Sequence, residues 1–338
     1  MGATRTIARA FAIGFTASIL FGCGGTNLSG TASIGSLPDT TTAGQAHSWM
    51  KADAAKQDLV YVSDGQVSAY VLTYPEGERV GRINGLTGAG AMCSDADGNV
   101  FMVNEGLPGP TKFPLSILKF AHGGTTPIGK LNDGAYVPSG CSVDPTTGDL
   151  AVANWSDQPS LGSVAIYKHG QGKPAFSAMG RNFYYYTYDN EGNLFLSGGG
   201  GTFTLWEIPK GSNTAHNISF SAPNSFPAAI QWDGKYLAIR HLTESEHGPT
   251  EVYRVKISGS TAAVVKTMKF RTRFKANPLV GLQFWLQGDT LIQPNTDWHN
   301  IDKLDLWNYP RGGQPRKVIT DFSALNMVGV TVSVARSR

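Results

Sequence analysis

The chain has 338 residues, 41% of them hydrophobic and only 16% charged, which is enough apolar material for a sizeable core and excludes global disorder. Its 28 basic and 25 acidic residues leave a net charge of +3 with no Lys/Arg-rich run, so nothing points to nucleic acid. The 41 glycines and 18 prolines among short β-rich runs favour an all-β chain with many tight turns.

In chain order, the first feature is an address. Arg5 and Arg9 precede an apolar or small run from Ala10 to Phe21, the length of a signal-peptide core and short for a membrane span. It ends in Leu20-Phe21-Gly22-Cys23, which resembles the bacterial lipobox. The resemblance implies that residues 1–22 are a signal peptide and that Cys23 carries a diacylglycerol. Gly24, and not an aspartate, follows the cysteine, so the resemblance implies the outer membrane before the inner one. Residues 23–56 are rich in Gly, Ser and Thr without apolar periodicity and read as a flexible tether, with a reach of roughly 30 Å.

From residue 57 onward one motif recurs: a short strand, a turn with Asp or Gly, then an apolar strand. It begins at Cys93, Cys141, Tyr188, Gln231 and, more weakly, Gln283. Asp95, Asp144, Asp189 and Asp233 mark the turns at spacings of 49, 45 and 44, and Trp285 takes the same place 52 further on. Each hairpin is followed by two more strands, and four strands in 40–50 residues is the size of a propeller blade. Five full units run to about residue 322. The stretch before residue 85 supplies three strands and lacks the first, which the orphan alternating strand Met327–Ala335 would provide. The expected fold is all-β: a six-bladed β-propeller over 57–338, its ring closed by the C-terminal strand, with no free sheet edge left at the closure.

The phrases DLVYVSD, GNVFMVN, CSVDPTTGDLAVAN and QWDGKYLAI resemble the NHL/YVTN class of propellers and a group of bacterial propeller lipoproteins. The resemblance spans about residues 48–336. It implies a fold and carries over no activity, because propellers host unrelated functions.

Two sets of residues are candidates for a site. Aligning the first strands at their turns gives one layer: Cys93, Ser142, Thr187, Gln231, Gln283 and Thr331, nearest the central channel. They either line that channel or satisfy buried backbone around it. The second set follows the second strands, where loops gather on one face: Asn104, Glu105, Asn154, Trp155, Asp157, Arg240, His241, Asn295, Asp297, Trp298 and His299. The two tryptophans suit carbohydrate or peptide contact, or packing under a loop. A metal-dependent, gluconolactonase-like hydrolase is the alternative. Asn104, Glu105, Asn154, Asn295 and Asp297 offer oxygen ligands for a divalent cation such as calcium, but that family's opening Glu-Gly-Pro is not on a first strand. No Gly-x-Ser-x-Gly elbow and no His-x-His or His-Glu-x-x-His spacing is present.

Cys93 and Cys141 fall in neighbouring units, and an exported chain can oxidise them. They sit one register apart at their turns, hence on opposite strand faces, which argues for two buried thiols over a bridge. The expected role is that of a monomeric, lipid-anchored envelope module that binds a protein, peptide or carbohydrate without a resident cofactor.

Overall fold

The computed structural model describes residues 47–104, 115–132, 137–155, 162–198, 203–222, 229–241, 251–271, 283–296, 302–320, 322 and 327–336. The signal peptide, Cys23 and most of the tether therefore lie outside the described residues, as do Glu105, Asp157, Asp297, Trp298 and His299.

Successive strands form antiparallel meanders. The first holds β1 (Trp49–Met50), β2 (Leu59–Ser63), β3 (Ser68–Thr73) and β4 (Arg79–Asn84). The second holds β5 (Ala89–Ser94), β6 (Val100–Asn104), β7 (Ser116–Phe120) and β8 (Pro127–Asn132). The third holds β9 (Val137–Val143), β10 (Leu150–Trp155), β11 (Ser163–Tyr167) and β12 (Ala175–Ala178). The fourth is β13 (Phe183–Tyr188), β14 (Leu194–Gly198), β15 (Thr204–Ile208) and β16 (His216–Phe220). The fifth is β17 (Ile230–Trp232), β18 (Leu237–His241), β19 (Glu251–Ser258) and β20 (Thr261–Lys269). The sixth is β21 (Trp285–Gln287), β22 (Thr290–Thr296), β23 (Asp302–Asn308) and β24 (Lys317–Ile319), and β25 (Val330–Ser333) ends the described chain.

Among the described residues these strands make five hydrogen-bonded sheets, not six separate ones. The fourth and fifth meanders merge into a single eight-stranded sheet, because β16 and β20 pair in parallel at Ser219↔Thr261 and Phe220↔Ala262. The first sheet runs β1-β4-β3-β2-β25. Its closing strand pairs antiparallel with β2 from Leu59↔Ser333 to Val62↔Val330, so the two ends of the described chain share a sheet. At the other edge Trp49 pairs with Arg82, and Ala54 is fully buried, so ordered structure starts within the segment read as tether.

The recurring aspartates have a local reason. Asp95 Oδ1 accepts the N–H groups of Asp97 and Asn99 at 3.0 and 2.8 Å, and Asp189 Oδ1 accepts those of Glu191 and Asn193, both at 2.9 Å. A carboxylate that caps the N–H groups two and four residues on fixes the turn between first and second strands.

Second strands such as VFMVN and LFLSG are buried at every position, because each meander is covered on both faces by its neighbours. Six hydrophobic clusters fill those gaps. One joins the first and second meanders through Tyr61, Val71, Met92 and Phe120, and the others follow in order. The last joins Val62, Leu72 and Val330 of the first sheet to Ile292 and Leu306 of the sixth meander, so the packing runs full circle. The result is a propeller-like ring of sheets.

Candidate functional site

The six layer residues do not stand free in a channel. Each reaches the next meander's first strand. Ser142 Oγ accepts the N–H of Tyr188 at 3.1 Å, Thr187 Oγ1 that of Trp232 at 3.1 Å, and Gln231 Oε1 that of Leu286 at 2.7 Å. Gln283 Oε1 accepts from Val330 N at 3.1 Å, and Thr331 Oγ1 lies 3.2 Å from Ser94 Oγ. The same position in the second meander, Cys93, makes a covalent link to Cys141 of the third, with Cα atoms 5.8 Å apart.

That disulfide overturns the expectation of two free thiols. The parity of the two positions is as the sequence indicated, but its consequence is the reverse. The residues face each other across two different sheets. One must look forward and the other backward around the ring, and both belong to one apolar cluster with Phe101 and Val152.

Gln283 does more than join its neighbours. Its Oε1 also accepts the N–H of Met92 at 3.0 Å, and its Nε2 donates to Met92 O at 2.6 Å. The amide thus ties β25 and β5 together from the segment that leads into β21. It forms part of a cavity of about 280 Å³, together with Gly88, Gly90, Ser139, Tyr184, Tyr185 and Val328.

Backbone irregularities build this cavity. In β5 the pairing with β6 jumps from Ala89 to Met92, in β9 it skips Ser139, and in β13 it skips Tyr184. Three consecutive first strands therefore bulge near their starts, and all three bulges contribute to the cavity wall. A bulge leaves a residue outside the ladder and re-aims its side chain. Glycine lets the strands converge there: a Cβ on Gly140 would sit 2.4 Å from Tyr184 O, and one on Gly329 would sit 2.3 Å from Gly90 O. The bulges have no signature in a first-strand alignment, which is why the layer was legible and the cavity was not.

First-strand starts and second-strand ends share one face, and of the loop-face candidates Asn104, Asn154, Trp155, Arg240, His241 and Asn295 are described there. Asn104 Nδ2 donates to Thr87 Oγ1, and Asn104 Oδ1 accepts the Thr87 N–H, both at 2.7 Å. Asn154 Nδ2 donates to Ser163 Oγ at 3.3 Å, and Asn295 Nδ2 to Asp305 Oδ2 at 2.8 Å. All three asparagines are buried and brace loop bases. Trp155 is half-buried at the end of β10. His241 Nδ1 lies 3.4 Å from Glu251 Oε2 and its ring stacks on Tyr253 at 4.8 Å. Arg240 is only 1% exposed, and desolvation pulls its guanidinium down to about 10, opposed by the nearby Tyr185. Burial raises the Asp305 carboxyl above its ordinary value, opposed by the Asn295 hydrogen bond and the Lys303 charge. Among the described residues no group of three His, Cys, Asp or Glu side chains is placed to hold a metal ion, and no helix is long and apolar enough to cross a membrane.

The fold is matched in solved structures. A chain from the crystal structure of a nidogen/laminin complex superposes with a TM-score of 0.61 at 11% identity, covering 83% of this chain and all of that one. A protein of unknown function from Bacteroides caccae gives a TM-score of 0.59 at 11% identity, covering 82% of this chain and 99% of that one. The chain is a β-propeller. No protein-family model matches it, and no curated protein does.

Proposed function

We propose that this is a six-bladed propeller of the cell envelope, anchored by a lipid on Cys23, that binds a ligand or partner on the face where the axial cavity opens. Each meander is read as one blade, with the eight-stranded sheet counted as two. Six intervening clusters and six layer links support that count. NHL-like or YVTN-like repeats and an outer-membrane destination go with this reading. The observation that carries the binding role is the coincidence of three bulges at one height on the axis. They disrupt three ladders to make a polar-floored hollow, a use of bulges found beside functional sites. The likeness to a chain from a nidogen/laminin complex is compatible with a protein partner.

Two experiments test this. Cys23→Ser should abolish labelling by radioactive palmitate; persistent labelling removes the anchor. On peptide and glycan arrays, Trp155→Ala and Tyr184→Ala should weaken retained signals by roughly thirtyfold, the loss for a hot-spot aromatic, without moving the melting temperature. Unchanged array patterns in both variants would refute the binding face.

A further inference from the structure

A second cleft, of about 350 Å³, lies between the fourth and fifth meanders. The turns that follow β13 and β17 border it, so it opens on the face opposite the first-strand starts. One wall is apolar. Trp232 stacks on Phe195 with ring centroids 5.9 Å apart and planes 7° from parallel, and Ile257 belongs to the same cluster. Phe195 and Glu207 are cross-strand partners, which puts the Glu207 side chain on the same sheet face, toward the fifth meander. Two hydrogen bonds across the seam fix the walls. Trp232 N–H donates to Thr187 Oγ1 at 3.1 Å, and Asn190 Nδ2 donates to Gly234 O at 3.0 Å.

The ionisable residues that border the cleft are Asp189, Glu191 and Glu207, and no lysine, arginine or histidine is among them. Asp189 is occupied by its own turn, where Oδ1 accepts two backbone N–H groups and Oδ2 accepts from Asn193 Nδ2 at 2.8 Å. Glu207 differs: its carboxylate has no hydrogen-bond or ion-pair partner among the described residues. Burial raises it above its ordinary value and the Asp189 charge adds to this, while the exposed His216, its cross-strand partner, opposes them. The basic side chains nearby are turned elsewhere. Lys210 Nζ donates to Thr146 Oγ1 at 3.0 Å, Lys235 Nζ lies over the Tyr236 ring, and Arg254 is paired with Asp233. Lys256 precedes Ile257 in β19 and so points to the other sheet face. An unpaired carboxylate close to a second one, with an indole beside it, is a setting that a cationic guest relieves.

We propose that this cleft binds an organic cation, an ammonium or guanidinium group on an apolar stem, with its charge at Glu207 and its stem against Trp232. The volume admits one side chain of a partner or a small free amine. Binding involves no covalent step.

Benzylamine, an ammonium at neutral pH, and benzyl alcohol share a shape and differ in charge, so they serve as probes. In ligand-observed NMR titrations of the full chain, benzylamine should bind at least about tenfold more tightly than benzyl alcohol, a difference of about 1.4 kcal/mol. Glu207→Gln should erase that preference and melt like the wild type, since it removes no hydrogen bond to a described residue. Trp232→Leu should weaken both probes severalfold. A blocked Gly-Arg-Gly peptide, set against its citrulline counterpart, identifies the source of the cation: binding tighter than that of benzylamine assigns the cleft to a side chain of a protein partner, and weaker binding assigns it to a free amine. Equal binding of benzylamine and benzyl alcohol overturns the proposal. So does a preference that survives Glu207→Gln, or no binding of either probe. The loop face lies at the other end of the strands, and the array experiment decides its fate separately.

Discussion

Two of the seams between meanders solve the same problem in opposite ways. The seam between the second and third is apolar and covalently closed: Phe101, Ile117, Leu150 and Val152 pack around the Cys93–Cys141 bond. The seam between the fifth and sixth is apolar only in part, around Leu291, Trp307 and Phe270. Further along the same strand faces, Gln293 pairs in register with Asp305, and Asn295 with Lys303, all under 5% exposed. There Gln293 Oε1, Asn295 Oδ1 and Asp305 Oδ1 have no hydrogen-bond partner among the described residues. A buried acceptor without a donor costs about 1–3 kcal/mol unless water fills the gap. The ring is therefore not uniformly held. Covalent and apolar closure sits beside the bulged wall of the axial cavity, and the weaker, polar seam lies beside Arg240.

The contrast can be broken from its strong side first. Replacing Cys93 and Cys141 by serine should lower unfolding free energy by about 2–4 kcal/mol, since the bond closes a loop with a sequence separation of 48. Denaturant titration checks this, and reducing agent should have no further effect on the double variant. An unchanged midpoint would show that the second–third seam owes nothing to its covalent bond.

From the weak side, Asp305→Asn should stabilise the protein at neutral pH by about 1 kcal/mol, because the new amide N–H can donate to Gln293 Oε1. The wild type should also show a pH signature. The folded Asp305 carboxyl titrates above its unfolded value, so the stability it contributes is full below the unfolded pKa and is lost as pH rises through the folded one. Melting curves across that range should fall for the wild type and flatten for Asp305→Asn. Parallel curves would contradict a carboxyl there that burial raises.

A smaller effect tests the ordinary seams. Thr187→Val removes the acceptor for Trp232 N–H together with a long 3.4 Å donation to Tyr188 O, and should cost about 1 kcal/mol. A loss much larger than that would mean the fourth–fifth seam, with its parallel β16–β20 pairing, depends on this layer more than its neighbours do.

The contrast also shows what was legible in the chain. The turn aspartates repeat because each accepts the N–H two residues on, and a local device leaves a local signal. The closing strand was legible because one meander lacked its first strand while Met327–Ala335 alternated with no partner. Facing relations between sheets were not. Cys93 and Cys141 could be placed on opposite faces, yet which faces meet depends on the ring and not on either strand. The bulges at Ser139 and Tyr184 depend on which residues pair with β10 and β14, so no periodicity within β9 or β13 reveals them. Arg240 stands out in the sequence only by its place at a strand end, while its burial follows from the packing of whole meanders.

Closure by β25 is the central claim, and it can be tested by taking the strand away and giving it back. Sedimentation velocity of a chain ending at residue 326 should show aggregates, because β2 then presents an unpaired edge and the cluster around Val62 and Leu72 is uncovered. Adding a synthetic peptide of residues 327–338 should restore a monomer-sized species. A truncated chain that stays monomeric and melts like the full one, with or without the peptide, would contradict a ring closed by this strand.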